Sequence, residues 1–177
     1  MEKEREEEVV LKKRFFTVYV TILIMVVILF KVVFMLTVVP TESMAGTIDP
    51  GDNVFCTRFG IGEDEIERYD ILIFNAPDNP DETYIKRVIG LPGETIEVRN
   101  GRVYADGQEL EDSFINAPQN RRGDGVYMVP EGHYFFLGDN RNKSNDSRFW
   151  KKKYVPVENI KAKARCVIYP FADAGWL

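Results

Sequence analysis

Histidine is almost absent from this chain: His133 is the only one in 177 residues. A serine or cysteine nucleophile served by a histidine base would have to use it. It sits in Gly132-His133-Tyr134-Phe135-Phe136, where it reads as a structural residue at the start of a strand. Cysteine is scarce too. Cys56 and Cys166 stand far apart in strand-like segments and read as small buried side chains rather than a thiol centre. One histidine and two cysteines, widely scattered, offer no set of closely spaced zinc ligands. Basic charge is not in excess either. Against 28 Asp and Glu stand 23 Lys and Arg, a net charge of -5, which argues against a nucleic-acid binder. So many carboxylates make any chosen pair uninformative as an acid–base couple. No internal repeat is visible.

What the chain does have is one long apolar run. Residues 15–39 read FFTVYVTILIMVVILFKVVFMLTVV, broken by a single charge, Lys31. At ~1.5 Å of rise per residue, a helix over this run would cross a hydrocarbon core of ~30 Å. It has no polar face, unlike the core helix of a soluble protein. It is also longer than the apolar part of a cleaved signal peptide, and Val38-Val39-Pro40 is a poor cleavage site. The run is therefore expected to be a retained anchor. A charge near mid-span costs ~3 kcal/mol, and Lys31, placed toward the C-terminal end, is expected to snorkel outward. Lys3, Arg5, Lys12, Lys13 and Arg14 precede the run, and the first basic residue after it is Arg58. By the positive-inside rule, residues 1–14 form a cytoplasmic tail, 15–39 the anchor, and 40–177 an extracytoplasmic domain.

Beyond Pro40 the pattern changes to short, apolar or alternating segments rich in β-formers: 53–58, 71–74, 84–90, 95–99, 102–105, 125–129, 133–137 and 164–169. Asn100-Gly101 is a strong type I′ hairpin signal, and Asp106-Gly107 suggests a second tight turn. Residues 111–125, including Asn116-Ala117-Pro118, look irregular. With no amphipathic helix of ten residues or more after the anchor, the domain is expected to be mainly β, a folded sheet or barrel.

Without histidine, a serine can be activated by a neutral lysine. The lysine must be desolvated, because lowering its pKa from ~10.4 to ~7–8 takes roughly 4 kcal/mol. Lys86, in the strand-like run Tyr84-Ile85-Lys86-Arg87-Val88-Ile89-Gly90, is a candidate. Alternation puts one of Lys86 and Arg87 inward and the other outward, and alone it does not distinguish a buried base from two edge charges.

The order of three segments adds what alternation lacks. Pro40-Thr41-Glu42-Ser43-Met44-Ala45-Gly46-Thr47-Ile48 follows the anchor; Tyr84-Ile85-Lys86-Arg87-Val88-Ile89-Gly90-Leu91-Pro92-Gly93-Glu94 comes next; Gly138-Asp139-Asn140-Arg141-Asn142-Lys143-Ser144-Asn145-Asp146-Ser147-Arg148-Phe149-Trp150 is last. In this order they resemble the signature blocks of bacterial type I signal peptidases, over most of residues 38–169. The resemblance implies a membrane-bound serine endopeptidase that cuts exported preproteins after small residues of the Ala-x-Ala type. It implies Ser43 as nucleophile and Lys86 as general base. Thr41 falls where a hydroxyl joins the Ser43 amide in an oxyanion hole, and Ser144 where a side chain orients the lysine. Asp146 and Arg148 match a buried ion pair, and Gly138, Asp139 and Asn140 a turn beneath the site. Val39, Pro40, Met44, Ile48, Tyr84 and Ile85 match the lining of shallow pockets for small side chains. No metal or organic cofactor is implied; the partners implied are preproteins emerging from the export machinery and the bilayer.

Two departures stand out. Gly46 occupies a position where the family commonly has proline, and Lys151-Lys152-Lys153-Tyr154 lengthens the loop before Val155-Pro156. Only Pro40, Thr41 and Glu42 separate the apolar run from Ser43, which places the nucleophile near the outer membrane surface, where a signal peptide's cleavage site emerges. A specialised peptidase for pilin or other surface proteins, and a non-catalytic scaffold of the same fold, are the competing readings.

Overall fold

The computed structural model describes residues 2–115, 117 and 119–177; Asn116 and Pro118, from the loop expected to be irregular, lie outside the described residues. The chain divides into two units, one ending at Phe34 and the other spanning Met35–Leu177.

The first unit is α1 (Glu2–Val33). It contains neither glycine nor proline, and its segment Leu11–Val33 is 23 residues of apolar character, about 34 Å long and sufficient to cross a bilayer. Phe16, Ile22, Met25 and Leu29 are all exposed along it. Two hydroxyls in the apolar stretch are satisfied within the helix: Thr17 Oγ1 donates to Lys13 O and Thr21 Oγ1 to Thr17 O, both at 2.9 Å. The sequence reading carries the span to Val39, but the helix stops at Val33 and the residues after it enter a strand. An apolar run rich in β-branched residues is compatible with either state, so composition does not mark this boundary. Lys31 consequently lies in the last helical turn, toward one end of the span.

Among the described residues the second unit has twelve strands, the first starting at its boundary: β1 (Phe34–Val38), β2 (Asn53–Thr57), β3 (Ile71–Asn75), β4 (Thr83–Gly90), β5 (Thr95–Arg99), β6 (Arg102–Ala105), β7 (Gln108–Glu109), β8 (Gly125–Met128), β9 (His133–Leu137), β10 (Val155–Pro156), β11 (Ile160–Tyr169) and β12 (Gly175–Trp176). The expected mainly β class holds. One sheet runs β1-β2-β11-β3-β4-β9-β10, with β12 on β11, and a smaller one runs β7-β6-β5-β8. Asn100 and Gly101 have φ of 52° and 79°, the two positive values a type I′ turn requires, and Asp106 and Gly107 repeat the device between β6 and β7. β1, β10 and β12 have no separate signal in the sequence, being short or hidden in the apolar run.

The centre of the large sheet is buried on both faces. Along β3, Ile71 and Ile73 join a core with Met44, Ile48, Val54 and Ala162, while Leu72 and Phe74 join another with Tyr134, Phe136 and Trp150. A third core, around Ile96, Val98, Phe135 and Leu137, ties in the small sheet. Fully burying side chains of this size contributes ~1.5–3 kcal/mol each, and the Phe74–Phe136 pair, 4.3 Å between centroids, adds a favourable ring contact. Strand β4 lies between β3 and β9, and every residue from Ile85 onward is buried, so both of its faces are dry there. Cys56 is buried in β2 and Cys166 half-buried in the adjacent β11, both as free thiols. Burial, with Cys166 nearby, pushes the Cys56 thiol up to about 12, consistent with an inert packing role.

Candidate active site

Ser43 sits in a single 3-10 turn, Glu42–Met44, opened by Thr41 in an extended conformation (φ -127°, ψ 155°) and closed by the Ala45 amide on Glu42 O at 3.1 Å. Met44 and Ile48 drive this turn into the core, which leaves Ser43 itself only 7% exposed. Lys86 comes from the middle of β4 and is 4% exposed. Its Nζ lies 2.6 Å from Ser43 Oγ and 2.9 Å from Ile85 O. Burial pulls the ammonium down to about 8, against the opposing pull of Asp146 and Asp139. That displacement corresponds to roughly 3 kcal/mol in favour of the neutral amine. Thr41 Oγ1 lies 3.2 Å from Ser43 Oγ. The serine, lysine and threonine expected from the sequence are thus brought together.

The segment after β9 forms the floor. Asn140 N donates to Ser43 O at 3.1 Å, and Gly138 N donates to Asp146 Oδ2 at 3.1 Å. A Cβ at Gly138 would collide with Ser144 Oγ and with the Ser43 carbonyl, so only glycine permits this close approach. Gly138→Ala is expected to cost about 1–3 kcal/mol of stability by overpacking and to displace Ser43. A thermal melt run beside an activity assay checks it; unchanged melting and turnover would contradict the packing described.

Two ion pairs brace the floor. Arg148 Nε and Nη2 meet Asp146 Oδ1 and Oδ2, each at 2.8 Å, with both residues buried. Arg87 Nε and Nη2 meet Asp139 Oδ1 and Oδ2 at 2.9 and 2.6 Å, and Thr47 Oγ1 donates to Asp139 Oδ2 at 2.6 Å. Alternation along β4 turns either Lys86 or Arg87 toward solvent; both are buried, because the strand is covered on both faces. Arg87 and Thr47 are therefore site-bracing residues that sequence reasoning missed. The signal for Arg87 was Asp139, a buried carboxylate in need of a cation.

Other expected positions are placed differently from their expected roles. Ser144 is buried close to the site, but its Oγ has no hydrogen-bond partner, so the lysine-orienting bond is not made here. Val39, Met44 and Ile48 are wholly buried in the same core cluster as Ile85 rather than lining an open surface, whereas Pro40 is exposed. Tyr84 is half-buried, 5.7 Å from the Trp150 ring, with Lys86 Nζ 5.6 Å from its own ring centroid. His133 opens β9 and its Nδ1 lies 2.8 Å from Glu131 O, the structural role expected of it. Among the described residues no group of His, Cys, Asp and Glu is arranged to hold a metal ion.

A serine held against a desolvated lysine can serve acyl transfer. The family described as "Signal peptidase, peptidase S26" matches residues 12–169. A "Signal peptidase I" of Leptolyngbya laminosa is 39% identical over 146 residues, covering 78% of this chain and 70% of that protein. A "Probable signal peptidase I-1" of Synechocystis is 36% identical, covering 78% of this chain and 73% of its own length. A crystal structure of a signal peptidase I from Enterococcus faecalis V583 is 33% identical with a TM-score of 0.48, covering 55% of this chain and 95% of that one. From the three ordered blocks and a family match spanning the apolar helix and nearly all of the β unit, the chain is a peptidase that belongs to the signal peptidase family, peptidase S26.

Proposed function

We propose that this peptidase is anchored by α1 with its β unit outside the cytoplasm, and that it removes signal peptides from exported preproteins after small residues. Neutral Lys86 takes the Ser43 proton as Oγ attacks the scissile carbonyl. The oxyanion that forms is held by the Ser43 amide and the Thr41 hydroxyl. The Lys86 ammonium then gives its proton to the leaving amine, and the mature chain departs. A water, deprotonated by the same lysine, hydrolyses the acyl-enzyme and restores Ser43. No step requires a metal or an organic cofactor. The observation that carries this reading is the 2.6 Å contact between Lys86 Nζ and Ser43 Oγ in a site dry enough to draw the lysine down to about 8.

The anchor contributes by holding enzyme and substrate in one plane, which raises their effective concentration. Purified full-length chain in detergent should cut a preprotein bearing Ala at the -3 and -1 positions, and Ser43→Ala should abolish the cut. Persistent cleavage by the alanine variant would remove Ser43 from the reaction.

A further inference from the structure

Three arginines are buried around the floor of the site, and only two of them have a counter-charge. Arg87 and Arg148 each grip a carboxylate through two hydrogen bonds. Arg141 is 4% exposed, yet among the described residues no carboxylate pairs with it. Its Nη1 donates to a neutral acceptor, Gln119 Oε1, at 3.0 Å, and its Nε is buried without any acceptor. Burial, with Arg148 alongside, pulls this guanidinium down to about 10, and the carboxylates of Asp146, Asp139 and Asp112 only partly oppose that. A dry cation without its own anion is costly, which asks for a compensating ligand.

Arg141 also lines a cavity of about 370 Å³, shared with Ala45, Gly46, Asp49, Asp139 and Asn140. The Asn140 amide donates to Ser43 O, so this cavity lies directly beside the nucleophile's turn. The two acidic residues in its wall are already engaged. Asp139 is saturated by Arg87 and Thr47, and Asp49 Oδ1, at the exposed rim, accepts from the Gly46 amide at 3.1 Å. Asp49 keeps its charge at the solvated rim, so among the buried charges described in the wall only the arginine has no ion-pair partner.

We infer that this cavity is a substrate subsite for a carboxylate, held by Arg141, and that the carboxylate belongs to an acidic side chain just after the cut. The inference rests on the peptidase reading of Ser43 and Lys86. The cavity shares no residue with Val39, Pro40, Met44, Ile48, Tyr84 and Ile85, the positions expected for the small, apolar side chains before the cut. What remains for it is the first part of the released chain. With Nη1 held by Gln119 and Nε closed off, it is the guanidinium's charge that favours a carboxylate over its amide isostere, because the ionic hydrogen bond is the stronger one.

The test uses peptides carrying Ala at -3 and -1, with Asp or Asn at each of the first three positions after the cut. Their affinities are measured for full-length Ser43→Ala protein in detergent, with Arg141 intact and as Arg141→Gln. At one of the three positions the Asp peptide should bind about tenfold more tightly than its Asn partner, and Arg141→Gln should bring that ratio to about one. Equal affinities with Arg141 intact, no binding of any peptide, or a preference that survives Arg141→Gln would each overturn the subsite. If Arg141→Gln fails to fold by circular dichroism, Arg141→Lys takes its place. It keeps a charge but not the guanidinium placed at the cavity, and should reduce the ratio; an unchanged ratio overturns the proposal. Cleavage of the Asn peptides by chain retaining Ser43 is followed in parallel. A tenfold binding preference without any cleavage would remove the peptidase reading and leave Arg141 only a carboxylate-binding site; cleavage without a preference would keep the peptidase reading and remove the subsite.

Discussion

Replacing Lys86 by arginine should lower kcat/KM by about 10⁴ or more, as much as replacing it by alanine. The two variants separate charge from base strength. Arginine keeps a cation within reach of Ser43 Oγ, but a guanidinium does not give up its proton in a protein. The native site works in the opposite direction: burial in β4 draws the lysine down to about 8, against the pull of Asp146 and Asp139. If Lys86 served only as a positive charge for the oxyanion, arginine would preserve most of the rate. Circular dichroism and thermal melts must show that both variants are folded, since the pocket around Lys86 is closed. Activity in the arginine variant within about tenfold of the parent would remove Lys86 from the role of base.

Thr41→Val should lower kcat by about 10²–10³ while Thr41→Ser stays within a few-fold of the parent. Valine matches threonine in shape and removes only the hydroxyl, so the substitution isolates one donor. In the resting site that hydroxyl lies 3.2 Å from Ser43 Oγ, within reach of the place where substrate oxygen would gather charge. Thr41 is itself exposed and extended, so valine there should leave folding stability within about 0.5 kcal/mol of the parent. An interaction made only in the transition state changes kcat and leaves KM alone. A fully active valine variant would reduce Thr41 to an extended residue leading into the 3-10 turn.

The features easiest to read in the sequence were those with a local chemical cause. Asn100-Gly101 and Asp106-Gly107 specify their turns because few other pairs accept two positive φ values. The β-branched runs of β3, β4 and β5 appear where they were expected. Ser43 and Lys86 were identified by the order of three segments, not by any property of either residue alone. What was hidden depends on neighbours distant in sequence. Residues 34–38 belong to an apolar run that suits helix and strand equally, and only pairing with β2 decides. One of Lys86 and Arg87 was expected in solvent because alternation assumes one wet face, whereas β4 has none from Ile85 onward. Met44 and Ile48 were expected at a surface that binds substrate, and instead they pin the serine's turn to the core. The empty hydrogen-bonding capacity of Ser144 and Arg141 cannot be read from a sequence at all, since it records partners that are missing.

The pH dependence of kcat/KM tests the central claim that a neutral Lys86 activates Ser43. The folded-state pKa of Lys86 lies below its ordinary 10.5, so the protonated, inactive form prevails below about 8 and the neutral form above it. The same shift makes folding stability rise with pH between about 8 and 10.5, where the unfolded chain still holds the proton that the folded one has lost. For the catalytic profile, substrate in which no group titrates between pH 6 and 10 should be cleaved tenfold faster per pH unit on the acidic side, bending to a plateau near pH 8. A profile flat from pH 6 to 10, or one still climbing at pH 10 as for an ordinary lysine, would contradict the account.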